Sequence, residues 1–170
     1  KDSFQPFRQI LHDCIVAIWP VAAGEEVVGI KLPERRLHSI HSAVHETGLS
    51  QSLLEKFLIN AGAINVDDSR PISRKVFDAK AYAPLLAEIP NLVGRIEMEQ
   101  KMGATQNQLR ALSADRVLVP LIDDPKIRSP WRLSDGLDLV SELEAKASSI
   151  EASNLVWEGI QRAKNRTSLS

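Results

Sequence analysis

Gly48-Leu49-Ser50-Gln51-Ser52-Leu53-Leu54-Glu55-Lys56-Phe57-Leu58-Ile59-Asn60-Ala61-Gly62 is the stretch that decides how this chain folds. Ser50 is placed to cap a helix, because a serine oxygen can accept one of the amides that the first turn leaves unpaired. Leu53, Leu54, Phe57, Leu58 and Ala61 then share one face at helical spacing, and Gly62 stands where a left-handed residue closes a helix. Upstream, Leu37, Ile40 and Val44 form another apolar face that stops at Thr47-Gly48. The spacing predicts a helix starting at Leu37, a short glycine-containing turn and a second helix, which is the helix-turn-helix arrangement.

The pattern returns downstream. Gly103-Ala104-Thr105-Gln106 matches Gly48-Leu49-Ser50-Gln51, and Leu109 and Leu112 stand where Leu54 and Phe57 stand, each 55 positions on (48 to 103, 54 to 109, 57 to 112). Leu118-Val119 repeats Ala63-Ile64. After each unit comes a stretch with paired aspartates, a proline and basic residues, Asn65–Lys75 and Pro120–Arg132, expected to be a loop or small β-wing. Asp78 and Ser134 are the expected caps of the helices that follow, the first of them stopped by Pro90 and interrupted by Pro84.

The flanks read differently. Phe4 to Trp19 predicts a helix with Asp2 or Ser3 as cap and Pro20 as terminator; Phe4, Phe7, Leu11, Cys14, Ile15 and Ile18 form its apolar stripe. On that spacing the stripe faces the core and Cys14 is a buried, inert thiol. Val21 to Pro33 reads as an irregular connector. Leu155, Val156, Trp157 and Ile160 predict a short amphipathic helix, and the end from Arg162 is polar and basic. Trp19, Trp131 and Trp157 are expected to anchor a core or an interface. The expected fold is mainly α: tandem winged helix-turn-helix units with short β-wings, between a long N-terminal helix and a C-terminal helix. Its divisions are 1–36 (helix and connector), 37–90 and 91–147 (the two units), and 148–170 (helix and tail).

The chain has 170 residues, with 21 Lys and Arg against 22 Asp and Glu and a formal charge of −1. No global positive field therefore attracts nucleic acid, and any such contact must come from local clusters. One cysteine excludes an internal disulfide and a multi-cysteine zinc site. No apolar run approaches the roughly 20 residues that span a bilayer, and the start lacks the pattern of an export signal, so a cytoplasmic setting and no membrane partner are expected. Lys1 in place of methionine reads as the start of a piece of a longer protein.

Gly29-Ile30-Lys31-Leu32-Pro33-Glu34-Arg35-Arg36-Leu37-His38-Ser39, running into Gly48-Leu49-Ser50 and Leu54 to Gly62, resembles the C-terminal region of TniQ-family transposition proteins. The Phe7 to Pro20 helix with Gly24 after it does too. The resemblance spans residues 4 to 145. It implies a non-catalytic subunit that acts in target-site selection beside a transposon AAA+ ATPase and a transposase. Family members commonly carry an N-terminal zinc-binding part; this chain has no Cys-x-x-Cys pair.

In a helix-turn-helix the second helix enters the major groove, and the residues at its N-terminal end reach base edges. Gln51, Ser52 and Lys56 occupy such places in the first unit; Gln106, Asn107, Gln108 and Arg110 do so in the second. Amides and arginine pair bidentately with adenine and guanine, which makes the second unit the stronger reader, and Glu55 opposes phosphate approach in the first. Arg70, Arg74, Lys75, Lys126, Arg128 and Arg132 are candidates for holding phosphates, which positions a protein without specifying sequence. The DNA-binding set expected is Gln51, Ser52, Lys56, Arg74, Gln106, Asn107, Arg110, Arg128 and Arg132.

His41 and His45 have metal-ligand spacing, with His38 and Cys14 as conceivable partners, but no further pair completes a site, so no metal is expected. His45-Glu46 lacks the second histidine of a metalloprotease motif, and the single glycines form no phosphate-cradling loop. No cofactor and no catalysis are expected. The sequence leaves two alternatives to DNA binding in transposition: an adaptor that binds a protein or ribonucleoprotein, and a winged-helix transcription regulator.

Overall fold

A computed structural model describes residues 4–147. The expected helix around Trp157, the tail after it and the Asp2 or Ser3 cap lie outside the described residues. The described part is mainly helical with two small antiparallel sheets.

Helix α1 (Gln5–Ile18) forms as expected, with a proline in its first turn, and ends at Trp19 and Pro20. Its orientation is the reverse of expectation. His12 and Val16 are buried, while Phe7 is 65% exposed, Ile18 67% and Trp19 63%, and Cys14 is exposed. Spacing groups residues on a face, yet it cannot tell which of two apolar-containing faces meets the body. Here the body takes the Val16 side, and Phe4, Phe7, Ile10 and Ile18 stay largely exposed.

The stretch read as an irregular connector is a hairpin, β1 (Glu26–Val27) paired with β2 (Ile30–Lys31). Val28 and Gly29 make its turn with φ of 55° and 77°. Two successive left-handed residues match the twist of a tight hairpin. A β-branched valine seldom takes that conformation, which is why composition did not flag the turn.

Leu37–Ser39, expected to open a helix, is strand β3 and pairs with β4 (Val76–Asp78) in the register His38 opposite Phe77. The helix cannot extend back because Ser39 caps it: the Ser42 amide donates to Ser39 Oγ at 3.1 Å, and the Ser39 amide donates to Ser42 Oγ at 2.9 Å. Helix α2 (Ile40–Thr47) therefore starts at Ile40 and ends at Gly48, whose φ is 71°. Helix α3 (Gln51–Asn60) follows and buries Leu54, Phe57 and Leu58 against Ile40 and Ala43. His38 is buried and stacked on Phe77, and that burial holds its imidazole below the ordinary histidine range.

The expected wings do not form as hairpins. Asn65–Lys75 is a chain of turns in which the Asn65 and Asp68 side chains accept the amides of Asp67 and Arg70, each at 3.0 Å. Such local bonds compete with a strand ladder. In Pro120–Arg132, Asp124 accepts the Lys126 amide in the same way at 2.8 Å, and Pro120, Pro125 and Pro130 have no amide to donate. What remains of backbone pairing there is the Leu121 amide donating to the Pro130 carbonyl at 2.7 Å and a bridge from Trp131 to Val93.

Helix α4 (Ala79–Glu88) is capped by Asp78, whose carboxylate accepts the Ala81 amide at 2.7 Å, and it carries Pro84 within it. Helices α5 (Arg95–Met102) and α6 (Gln106–Ala114) repeat the α2–α3 pair, joined at Gly103 with φ of 65°. The 55-residue offset holds in the packing as well: Ala43 and Met98, and Leu54 and Leu109, are matched and buried. Helix α7 (Leu133–Lys146) starts before the expected cap Ser134, with Arg132 at the cap position. It crosses α5 at Gly136, where a Cβ would stand 2.5 Å from Met98 Sδ. Packing also crosses the 90/91 division, because Ile122 and Ile127 are buried in the core built by α2, α3 and α4.

With Cys14 on the open side of α1, an aromatic disulfide reagent should label it without denaturant at the rate of a small-molecule thiol. Labelling that waits for unfolding would return Cys14 to the core.

Candidate nucleic-acid interface

The amino-terminal turns of α3 and α6 are the places where a helix pair would present side chains to a groove. Helix α3 is fixed from behind by Leu54, Phe57 and Leu58, all at most 1% exposed, so Gln51 and Ser52 are held outward. Ser50 occupies the cap position without a side-chain hydrogen bond. Glu55 does not stand free to repel phosphate: Lys75 Nζ donates to its carboxylate at 2.6 Å. Lys56 is engaged as well, its ammonium donating to Asp124, which lowers the Asp124 pKa. Asn60 donates to the Leu121 carbonyl at 3.0 Å.

Helix α6 is held by Leu109 and by a cap. Thr105 Oγ1 accepts the Gln108 amide at 3.3 Å, and Gln108 Oε1 accepts the Thr105 amide at 2.7 Å. Gln108 is thereby committed to the backbone, while Gln106, Asn107 and Arg110 remain exposed. Gln106 and Arg110 line one groove with Arg95 and Trp131, about 610 Å³ in volume.

A second groove of about 480 Å³ brings Ser50, Ser52 and Lys56 together with Lys126, Arg128 and Ser129. Four of the six expected phosphate contacts, Arg70, Arg74, Lys75 and Arg132, are placed elsewhere or paired. Arg74 lines a different hollow with Ile18, Trp19 and Pro20. Arg132 pairs with Glu88, Nη2 donating to Oε2 at 3.1 Å, and this pairing holds the Glu88 carboxyl below the usual range. Arg70 does the same for Asp68, lowering it to about 2.

The structure therefore assembles Gln106 with Arg110, and Ser52 and Lys56 with Arg128, and it ties up Arg132 with Glu88 and the Lys56 ammonium with Asp124. It also places Arg95, Lys101 and Ser129 beside these groups, which sequence reasoning did not select. Arg95 was hidden by the repeat itself, since the same place in the first unit is the fully buried Ile40. Among the described residues no three His, Cys, Asp or Glu side chains gather as a metal site; His41 and His45 are exposed. No described helix is long and apolar enough to cross a membrane.

Comparison with protein families, curated proteins and solved structures finds no match to this chain.

Removing the α6 cap should be felt without touching the exposed side chains. Thr105→Ala is expected to cost about 1 kcal/mol, read as a lower urea midpoint at unchanged slope. An unchanged midpoint would mean the cap does not hold this helix.

Proposed function

We propose that the chain is a non-catalytic DNA-binding and adaptor protein in DNA transposition. Its pairs α2–α3 and α5–α6 act as helix-turn-helix units, and its partners are DNA and a transposon AAA+ ATPase recruited to the selected target site. The observation that carries the DNA part is the outer side of α6. Behind a two-way cap and a buried Leu109, Gln106, Asn107 and Arg110 stand exposed at the start of the second helix of a pair. Those side chains can form bidentate contacts with adenine and guanine. The first pair offers Gln51 and Ser52, and Arg128 supplies charge between the two. The transposition context comes from the TniQ-like string at Pro33-Glu34-Arg35-Arg36-Leu37-His38-Ser39.

A specific observation favours a second reading, an adaptor that binds protein rather than DNA. Phe4, Phe7, Ile10, Ile18 and Trp19 expose large apolar side chains along one helix, more than scattered surface hydrophobics would account for.

Titration of labelled duplexes with single variants separates the two. Asn107→Ala or Arg110→Ala should weaken a preferred site by about 1–3 kcal/mol and random DNA little. Absence of salt-dependent binding by the unaltered protein at low ionic strength would remove the DNA reading and leave the adaptor.

A further inference from the structure

Three grooves are linked one to the next by shared lining residues. The groove at α3 ends on Arg128 and Ser129; these two also line a groove of about 640 Å³ with Gly94, Arg95 and Lys101; and Arg95 in turn borders the groove that holds Gln106 and Arg110. The start of α3 and the start of α6 are thus joined by a continuous path through the Lys126–Ser129 loop. From this continuity we infer that the path is one track for the phosphates of a single DNA duplex, with Lys126 and Arg128 as its central contacts. The inference rests on the DNA-binding reading above, and it goes further by making the two helix pairs a single docking surface instead of independent readers.

Three observations support the track. The first is that the loop is held in place from both sides. Ile127 is 7% exposed in the first core, and the Arg128 carbonyl lies 3.0 Å from where a Cβ on Gly94 would stand. Gly94 allows this close approach because it has no side chain. Lys126 and Arg128, on either side of the anchored Ile127, are exposed.

The second is charge. The charged ends of Lys126, Arg128, Lys101 and Arg110 form no ion pair within 4.0 Å among the described residues, whereas Lys56 and Arg95 are paired with Asp124 and Glu99. Glu97 and Asp123 are the carboxylates that line the path. Cations therefore prevail here, in a chain whose total charge is −1.

The third is the type of side chain. Ser50, Ser52 and Ser129 supply hydroxyls of the kind that donate to phosphate oxygens, alongside lysine and arginine.

The test is the salt dependence of binding to a short fluorescein-labelled duplex of arbitrary sequence. It compares the unaltered protein with Lys126→Ala/Arg128→Ala and with the control pair Lys31→Ala/Lys80→Ala, which removes the same charge off the path. The track variant should bind about ten- to a hundredfold more weakly at low salt, and its log-affinity against log-salt slope should fall by about two contacts' worth. The control pair should leave the slope unchanged. Arg128→Gln, expected to fall by about one contact, serves if melting shows the double variant to be disturbed. Equal slopes for the track variant and the unaltered protein, or an equal loss in the control pair, would overturn the track while leaving DNA binding standing. A protein that binds no duplex at any salt would overturn both.

Discussion

Ile122 and Ile127 come from the chain behind the second helix pair, yet they are buried in the core of the first. Burying a side chain of this size contributes about 1.5–3 kcal/mol. The neighbouring Lys56–Asp124 pair is worth less, because partly exposed ion pairs contribute about 0–1 kcal/mol. The apolar insertion therefore sets the geometry, and the ion pair follows it. With both isoleucines seated, the Asn60 amide reaches the Leu121 carbonyl, the Trp131 backbone can pair with Val93, and Arg128 is held above Gly94. Every feature of the proposed interface that spans the two pairs depends on this insertion.

The near-neutral charge, which the sequence presents as an obstacle to DNA binding, has a different meaning once partners are known. Several carboxylates are paired: Glu55 with Lys75, Asp124 with Lys56, Glu88 with Arg132 and Asp68 with Arg70. The pairs cancel in the sum; of these acids Asp124 is the one beside Lys126, and Lys56 holds it, while Lys126, Arg128 and Arg110 form no side-chain ion pair among the described residues. Local charge, rather than the total, decides what a polyanion encounters within a screening length of roughly 10 Å.

Helices were legible in the sequence wherever caps and periodicity agreed. Asp78, Gly48, Gly62 and Gly103 all stand where the chain was expected to start or stop an element. Three kinds of information were not legible. The rotation of α1 depends on what it packs against, so Cys14 and Phe7 turned outward against expectation. Strand β3 finds its partner about 40 residues away, with His38 opposite Phe77, and no local pattern encodes that pairing. The availability of a charged side chain depends on its neighbours in space: Arg132 and Lys56 look as free as Arg128 in the sequence, and only the fold separates them. Gln106, Asn107 and Arg110 could be picked out early because a capped helix fixes its own outward face.

The central claim is that one surface, running from the start of α3 through the Lys126–Ser129 loop to the start of α6, meets DNA. Mapping backbone amide shifts on addition of a duplex at low salt tests this most directly. Perturbations should appear together at Gln51, Ser52, Lys126, Arg128, Gln106 and Asn107 and leave α1 unchanged. Shifts confined to α1, or none at all, would contradict it.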